Sequence, residues 1–523
     1  MSQARAVARN AGAVMFLILL SRLLGFVRER AIADVFGLTW ETDAFRAAFN
    51  IPDLMYFLLV GGAISSAFIP VFSEYLARGQ EDEAWRMAAA FISLVGMGLI
   101  GLTALGVALA PWLGPLVAPG FGQQQMALLV RLMRIMFPAV LFTALAGVGM
   151  GVHNSYQRFV VPLCGPIVYN LAITLGAYLL GPSMGIMGMA LGTVAGAMGN
   201  FLVQLPFVVF AARRFPWQPA WRHPGLCKMA RLMGPTLIGL SIVQLNTVIL
   251  TALASTLPEG RITALNLANR LVQLPLGVFG MGMSTVAFPV MARLAALGDW
   301  QEFGRTLTSS LRAILFVTIP SAAGLLALRE PIVRLLFEVG EFGPEDTATT
   351  AYALSFFSVG VFAVSSVQVL TRAFYSLQDT VTPVKIGFSA VVVNTGLSLI
   401  LLRWSGLEHG GLAVAFSAAA ICQMTWQLVR IRRRLGNRLN VKELILTFAR
   451  STLAAAVMFP AATWAAAVAG DRVDLTLLSG RFLQVAAGIG TGVAVYAIAA
   501  WLLRMPELSL VVDMASRLWR RRR

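Results

Sequence analysis

The chain has 523 residues, of which 58% are hydrophobic and only 12% are charged, and its mean hydropathy is +0.76. A soluble domain carries about twice that charged fraction, roughly 25%, whereas apolar runs of about 20 residues, long enough to cross a bilayer, recur here from end to end. These features exclude a soluble multidomain protein. The three cysteines and three histidines are widely spaced, which argues against a disulfide framework or a zinc hydrolase.

Apolar runs separated by glycine, proline and charge predict an all-α polytopic membrane protein with fourteen transmembrane helices. In chain order the predicted spans lie near 9–36, 43–73, 86–110, 126–150, 159–180, 186–211, 229–256, 262–292, 305–328, 347–371, 384–402, 410–429, 444–469 and 482–503. Arg5 and Arg9 precede the first run, and no small-residue cleavage site follows at a signal-peptide distance. We therefore predict an uncleaved first span.

The net charge of +17 is concentrated in short loops. Lys and Arg are far more numerous at the two termini and in the loops after even-numbered spans than in the other loops. This imbalance follows the positive-inside rule and predicts that both termini are cytoplasmic. It accounts for the basic charge without nucleic acid as a partner.

An internal repeat organises the first twelve spans. Residues 64–86 align with residues 283–305, so that Pro70 falls on Pro289, and the offset stays nearly constant through several later spans. Six spans return the chain to its starting side of the membrane, so the two copies have the same orientation. Parallel repeats of this kind are typical of transporters, with the substrate site between the halves.

The repeat divides the chain into predicted parts: an N-lobe at 1–217 with spans one to six, a C-lobe at 218–440 with spans seven to twelve, an appended helix pair at 441–503, and a basic tail at 504–523. The basic, proline-rich segment 213–231 is the expected link between the lobes. The tail ends in SRLWRRRR (516–523), which we interpret as a cytoplasmic anchor for anionic membrane lipids.

Arginines inside the first span indicate a functional role. An arginine at the bilayer centre costs about 2.5–3.5 kcal/mol on insertion scales, and such residues usually line a cavity or pair with an opposite charge. The first span carries Arg22, Arg28 and Arg30. Arg22 lies about 20 Å along the helix from Arg9, too deep for easy snorkelling, whereas the alternative for Arg28 and Arg30 is that they reach the outer interface.

Spans two and eight begin with polar stripes at corresponding depth. Polar residues recur there at three- and four-residue steps, which places each set on one helix face: Asp43, Arg46, Asn50 and Asp53 in one span, and Asn266, Asn269, Arg270 and Gln273 in the other. We predict that the two stripes line a wet, net-positive cavity between the lobes. Polar contacts between helices are the alternative, and they explain the Asn and Gln residues better than Arg22 and Arg270.

The charge balance of this cavity favours a substrate with about two negative charges, because the planar fork of arginine suits phosphate oxygens. A small cationic drug requires the opposite balance. The sequence carries no Walker sequence, nucleophile elbow or HExxH motif. We therefore expect a transporter that is not an enzyme, has no cofactor, and is driven by an ion gradient or the membrane potential, with an unidentified coupling cation.

Seven segments carry a family resemblance: SRLLGFVRE (21–29), TDAF (42–45), SSAFIPVFSEY (65–75), VAPGF (117–121), NRLVQLPLGVFG (269–280), FEVGEF (337–342) and FYSLQDTVTPVKI (374–386). In this order they resemble the MurJ/MviN family of lipid II flippases, part of the multidrug/oligosaccharidyl-lipid/polysaccharide exporter superfamily. The similarity covers most of the first twelve spans. The fourteen predicted spans, with an extra pair at the end, agree with it.

The resemblance implies that two rocking lobes carry lipid II, the undecaprenyl-pyrophosphate-linked peptidoglycan precursor, from the inner to the outer leaflet of the bacterial cytoplasmic (inner) membrane by alternating access. It places family-critical arginines at Arg22, Arg28 and Arg270, which would neutralise the pyrophosphate. It also places an acidic residue at Asp43, which would orient the arginines and exchange partners as the cavity opens and closes. The cell-wall synthesis machinery is a candidate partner.

One segment departs from the family pattern. Many members carry a basic pair followed by Ala-Glu-Gly in span two, where this chain reads MYFLLVGG (55–62). A basic contact and a gate carboxylate are therefore missing from this segment, and Arg46 is the candidate replacement for the basic contact. Asn50 and Asn269 complete the predicted substrate-binding set.

Other functions remain as alternatives at this point. A flippase for another polyprenyl-pyrophosphate-linked glycan would need the same charges. A cation-coupled drug antiporter would carry a buried acid in most central spans, which spans four to seven and nine to twelve lack. A non-transporting scaffold would not need deep arginines, and a lipid-modifying enzyme would need a catalytic pair, of which the sequence gives no sign.

Overall fold

The computed structural model describes residues 2–212 and 221–508, and every regular element in these two ranges is a helix. The predicted all-α class is therefore confirmed. Several predicted features lie outside the described part of the chain: the first part of the link (213–220), the end of the basic tail (509–523), the side chains of Arg5, Arg9 and Tyr56, and the surroundings of Gly61.

The chain forms two compact units by its internal contacts. Unit 1 comprises Met1–Thr263 together with Val339–Gly343, and unit 2 comprises Ala264–Glu338 together with Pro344–Arg523. The short segment 339–343 therefore belongs to unit 1, although it lies far along the sequence from the rest of that unit. We describe each unit by itself.

The elements of unit 1 include two π-helical segments that continue α-helices. They are α1 (Ser2–Phe36), α2 (Trp40–Tyr56), π1 (Phe57–Phe68), α3 (Ile69–Ala77), α4 (Glu81–Val117), α5 (Gln123–Ser155), α6 (Val160–Leu175), π2 (Gly176–Leu180), α7 (Gly181–Met184), α8 (Ile186–Ala212) and α9 (Pro224–Ala254). Helix α9 falls in this unit because it packs against π1 and α4. The predicted lobe boundary at 217/218 comes from the sequence repeat and stays a prediction.

Close packing of α5 against α2, α4 and α8 holds unit 1 together. Phe137 of α5 is fully buried, and its ring occupies the space beside Gly106 of α4, where a Cβ atom would lie 2.4 Å from the ring. Small residues at such contacts are common in membrane proteins, because helix association there depends on van der Waals packing more than on the hydrophobic effect.

The elements of unit 2 follow in chain order: α10 (Arg261–Pro275), π3 (Leu276–Gly280), α11 (Met281–Leu297), α12 (Trp300–Ala327), α13 (Arg329–Phe337), α14 (Pro344–Val359), α15 (Val361–Ser376), α16 (Val381–Trp404), α17 (Glu408–Leu435), a 3₁₀ turn (Gly436–Arg438), α18 (Val441–Gly470) and α19 (Leu478–Leu502). The first turn of α10 is part of unit 1. Helices α18 and α19 cover the predicted appended pair.

Helix α18 packs against both α19 and α12. The hydroxyl of Tyr496 on α19 donates to the carbonyl oxygen of Phe316 on α12 at 2.7 Å. Arg312 on α12 forms ion pairs with Glu443 at the start of α18, at 2.5 Å, and with Glu507 after α19, at 2.8 Å. The two last long helices are thus tied to α12 by both polar and apolar contacts.

Ten helices in the described ranges are long and apolar enough to span a membrane, and eleven if α14 and α15, which meet at a 45° bend, count as one. A multi-pass membrane protein is therefore confirmed, while the number of fourteen and the two six-helix repeats stay predictions. The predicted span at 347–371 is the bent pair, and those at 9–36, 43–73 and 229–256 are not among the eleven. Helix α1 carries several charges near its end, and the second predicted span is divided among α2, π1 and α3.

Gly106→Ala tests the close contact between α4 and α5. We expect it to destabilise the protein by about 1–3 kcal/mol, because the added methyl group overlaps the ring of Phe137 and forces its neighbours apart. Gly101→Ala, on the same helix, is the matched control, since a Cβ atom there meets nothing within 4 Å. Thermal unfolding of the purified protein in detergent measures both, and equal Tm values for the two variants would contradict the contact.

Candidate functional site

A tight turn between α1 and α2 positions the site. Gly37 ends α1 with φ +59°, in the left-handed region that favours glycine. The next helix begins with a capping box. The hydroxyl of Thr39 accepts from the backbone N–H of Thr42 at 3.4 Å, and the hydroxyl of Thr42 accepts from the backbone N–H of Thr39 at 3.0 Å. The turn brings the first turns of α2 back toward the last turns of α1.

Three side chains form what we call the arginine–glutamate cluster: Arg28 and Glu29 on α1, and Arg46 on α2. Glu29 Oε1 accepts from Arg28 Nη2 at 2.6 Å and from Arg28 Nε at 3.2 Å, while Glu29 Oε2 accepts from Arg46 Nη2. The side chain of Glu29 is 0% exposed, and those of Arg28 and Arg46 are 13% and 12% exposed. One carboxylate thus serves two guanidinium groups in a poorly hydrated position, and the Asp53 carboxylate of α2 also acts electrostatically on Arg28.

The polar stripe of α2 continues from this cluster. Asp53 Oδ2 accepts from Gln244 Nε2 of α9 at 3.0 Å. Asn50 Nδ2 and Arg46 Nε are buried and have no hydrogen-bond partner within the described residues. Buried donors are rarely left unpaired in proteins, so these two atoms favour a ligand that carries acceptor oxygens.

Asp43 has a different set of partners. Its carboxylate accepts from the backbone N–H of Gly260 at 2.7 Å, and from the N–H and the hydroxyl of Thr263, each at 2.8 Å. Asp43 is 3% exposed, and its negative charge faces the first turn of α10, where free N–H groups favour an anion. These hydrogen bonds hold the segment before α10 against α2.

The predicted set also includes Arg22, Asn269 and Arg270. Arg22 is exposed on α1, six residues before Arg28, which corresponds to about 9 Å along the helix. Asn269 and Arg270 are partly buried on α10 in unit 2. Asn269 Oδ1 is buried and has no hydrogen-bond partner in the described part of the chain.

Two participants were not predicted as site residues from the sequence. Glu29 stands inside the segment SRLLGFVRE, but consecutive residues on a helix do not face each other, so no periodic pattern pairs it with Arg28. Gln244 belongs to a largely apolar helix, in which it forms no polar stripe that pairs it with α2. Pairing each with Arg46 or Asp53 required the fold.

The segment 339–343 also contributes to unit 1. The backbone N–H of Glu341 donates to the carbonyl oxygen of Asp34 at 3.0 Å. Gly340 has φ +55°, and a Cβ atom there would lie 2.2 Å from the same carbonyl oxygen. This part of the FEVGEF segment therefore packs closely against the end of α1, beside the turn that positions the site.

The arrangement is suited to binding an anion. The described residues contain no group of three or more His, Cys, Asp or Glu side chains that could hold a metal ion. Two guanidinium groups at low exposure and two unpartnered donors instead favour an oxyanion, since hydrogen bonds between arginine and phosphate are short and charge-assisted.

Comparison with known proteins places the chain in a family. The family model described as lipid II flippase MurJ matches residues 32–476. The probable lipid II flippase MurJ of Vibrio cholerae serotype O1 is 32% identical over 517 residues, which cover 96% of this chain and 97% of the relative. The chain belongs to the lipid II flippase MurJ family. The lipid II flippase MurJ of Burkholderia cenocepacia is 31% identical and covers 80% of this chain and 82% of the relative.

Solved structures support the MurJ fold. A structure titled lipid II flippase MurJ, inward closed conformation, matches with a TM-score of 0.77 at 23% identity and covers 94% of this chain and 99% of that chain. An inward-facing multidrug resistance MATE transporter of the MOP superfamily matches with a TM-score of 0.69 at 13% identity. The match covers 80% of this chain and 95% of that chain. The predicted family is confirmed, and it is a family of transporters rather than enzymes.

Asp43→Asn tests the role of the Asp43 carboxylate in holding α10. The amide keeps one acceptor oxygen but presents an NH₂ group to an N–H donor, so we expect a loss of about 1–3 kcal/mol of stability. Thr263→Val removes only the hydroxyl donor, and about 0.5–1.5 kcal/mol is expected. Thermal unfolding measures both, and an unchanged Tm for Asp43→Asn would show that these hydrogen bonds do not stabilise the fold.

Glu29→Gln tests the shared carboxylate of the arginine–glutamate cluster. The substitution removes the carboxylate that pairs with two poorly exposed guanidinium groups, so we expect a loss of about 3–5 kcal/mol. Glu74→Gln is the matched control, because Glu74 also pairs with two cations, Arg78 and Lys228, but its side chain is 34% exposed. Exposed pairs contribute about 0–1 kcal/mol. Equal decreases in Tm would contradict a special role for Glu29.

Proposed function

We propose that this chain flips lipid II from the inner to the outer leaflet of the bacterial cytoplasmic membrane by alternating access. Membership of the MurJ family supports the substrate, which the relatives carry in their names. Similarity in fold to transporters solved in inward-closed, inward-facing and outward-facing conformations supports the mode of transport. No catalytic step on the chain is required.

The observation that carries this proposal is the arginine–glutamate cluster. When no substrate is present, Glu29 holds Arg28 and Arg46 in place and offsets part of the cost of burying them. An arriving pyrophosphate, with about two negative charges and several acceptor oxygens, competes with Glu29 for the two guanidinium forks. Arg46 thereby supplies the basic contact that the segment at 55–62 lacks.

The remaining predicted residues extend the same site in this proposal. Arg22 and Arg270 add positive charge for the pyrophosphate, and Asn50 Nδ2 donates to a headgroup oxygen. Asn269 Oδ1 accepts from a headgroup hydroxyl or amide. Asp43 holds the first turn of α10 in the present conformation and exchanges partners as the cavity between the lobes opens and closes.

The proposed topology follows the distribution of Lys and Arg. Both termini lie in the cytoplasm, so the turn between α1 and α2 lies near the outer face of the membrane. A cation gradient or the membrane potential resets the cycle without a bound cofactor. The cell-wall synthesis machinery would supply the substrate and use it after transport.

An arginine series tests the proposed function. We expect lipid II to flip between the leaflets of proteoliposomes about tenfold or more slowly with Arg22→Ala, Arg28→Ala or Arg270→Ala. The reason is that a charge-assisted hydrogen bond contributes roughly 1.5–3 kcal/mol. Each should also fail to support growth of cells depleted of their own lipid II flippase. Arg86→Ala is the control, since Arg86 is exposed and, among the described residues, pairs with Glu83 one helical turn earlier.

The proposal is wrong if all three alanine variants transport lipid II and support growth as the control does. Arg270→Lys should rescue only partly if the planar fork matters, and fully if charge alone suffices. Full activity of Arg46→Ala would remove the assigned role of Arg46. Native mass spectrometry of the purified protein then distinguishes lipid II from another polyprenyl-pyrophosphate-linked glycan as the lipid that co-purifies.

A further inference from the structure

Unit 2 contains a second concentration of positive charge, which we call the basic pocket. It has a volume of about 630 Å³ and lies where the start of α12, the end of α17, the 3₁₀ turn and the start of α18 meet. Five basic side chains line it: Arg305, Arg312, Arg432, Arg438 and Lys442. None of them belongs to the substrate-binding set proposed above.

Fixed carboxylates balance only part of this charge. Arg305 pairs with Glu302 at 3.3 Å, and Arg312 pairs with the two carboxylates at the start of α18 and after α19. Arg432, Arg438 and Lys442 form no ion pair within the described ranges. The pocket therefore keeps positive charge that an external anion can neutralise.

An apolar groove continues from the basic pocket. It has a volume of about 280 Å³ and is lined by α12, α15, α17 and the start of α18, with Val441 shared between groove and pocket. Its lining is apolar except for Ser366, whose hydroxyl donates to the carbonyl oxygen of Phe362 on its own helix at 2.8 Å. The groove thus leaves no polar group that requires a polar ligand.

The order of residues along α12 and α18 is the same. On α12, the pocket is lined by residues from Arg305 to Arg312, and the groove is lined by Leu311 and Leu315. On α18, Lys442 lines the pocket, and Ile445 lines the groove one turn later. Both helices therefore pass from a cationic end to an apolar surface, which matches a molecule with an anionic head and a hydrocarbon tail.

We propose that the basic pocket and the apolar groove together bind an anionic glycerophospholipid, with its phosphate in the pocket and part of one acyl chain in the groove. The predicted topology places the pocket on the cytoplasmic side, where anionic headgroups meet basic residues at the ends of membrane helices. A soluble anion would use the pocket but has no use for the groove. The lipid is a bound regulator or structural partner, and its binding does not depend on which substrate is transported.

The experiment is native mass spectrometry of the full-length protein in detergent, titrated with dioleoyl phosphatidylglycerol or dioleoyl phosphatidylcholine. The double variant R438Q/K442Q removes two cations from the pocket, and R430Q/R433Q removes two exposed cations of α17 that do not line it. All four side chains are exposed, so neither variant loses core packing. Ile445→Trp obstructs the groove, and Leu446→Trp, at an exposed neighbouring position outside the lining, is its control.

We expect phosphatidylglycerol to bind in preference to phosphatidylcholine, with an affinity about 30-fold lower in R438Q/K442Q, since each basic residue near a headgroup contributes a several-fold effect. R430Q/R433Q should change it far less, and Ile445→Trp should weaken binding where Leu446→Trp does not. Equal weakening by the two double variants would overturn the proposal, as diffuse surface charge would explain it. Equal binding of the two lipids would also overturn the proposal. So would displacement of the lipid by inorganic phosphate, if Ile445→Trp also left lipid binding unchanged.

Discussion

The site depends on one constraint: a charge moved out of water must be compensated where it lies. Each ion buried alone costs several kcal/mol, and α1 and α2 carry two nearly buried guanidinium groups. Glu29 makes the arrangement stable because each of its carboxylate oxygens accepts from a different arginine. The turn at Gly37 and the cap at Thr39 serve this geometry, since they set how far α2 returns along α1.

The two concentrations of positive charge differ in exposure, and exposure determines what each can do. In the arginine–glutamate cluster the charge is poorly hydrated, so an anion that replaces Glu29 meets strong, directional hydrogen bonds. In the basic pocket Arg432, Arg438 and Lys442 are exposed, so attraction is weaker and screened by salt. We propose that the first selects a transported headgroup, and that the second holds a membrane lipid beside an apolar groove.

Sequence patterns could not predict some contacts of the site, because these contacts join residues that are distant along the chain. Asp43 is in the TDAF segment, and its acidic nature suggests a partner among the arginines. Its carboxylate instead accepts hydrogen bonds from Gly260 and Thr263, more than two hundred residues away. Likewise, nothing in the composition of FEVGEF indicates that Gly340 packs against the end of α1.

The sequence by itself determined that the chain is helical and membrane-embedded, since long apolar runs leave the backbone no other way to satisfy its hydrogen bonds in lipid. Its ordered motifs also determined the family, and the cost of charge in the membrane singled out the arginines. Only the tertiary structure decided which carboxylate each arginine meets, because Glu29, Arg28 and Arg46 share no helical period. It also decided that residues 339–343 join unit 1, because close packing, and not sequence distance, sets which backbones can touch.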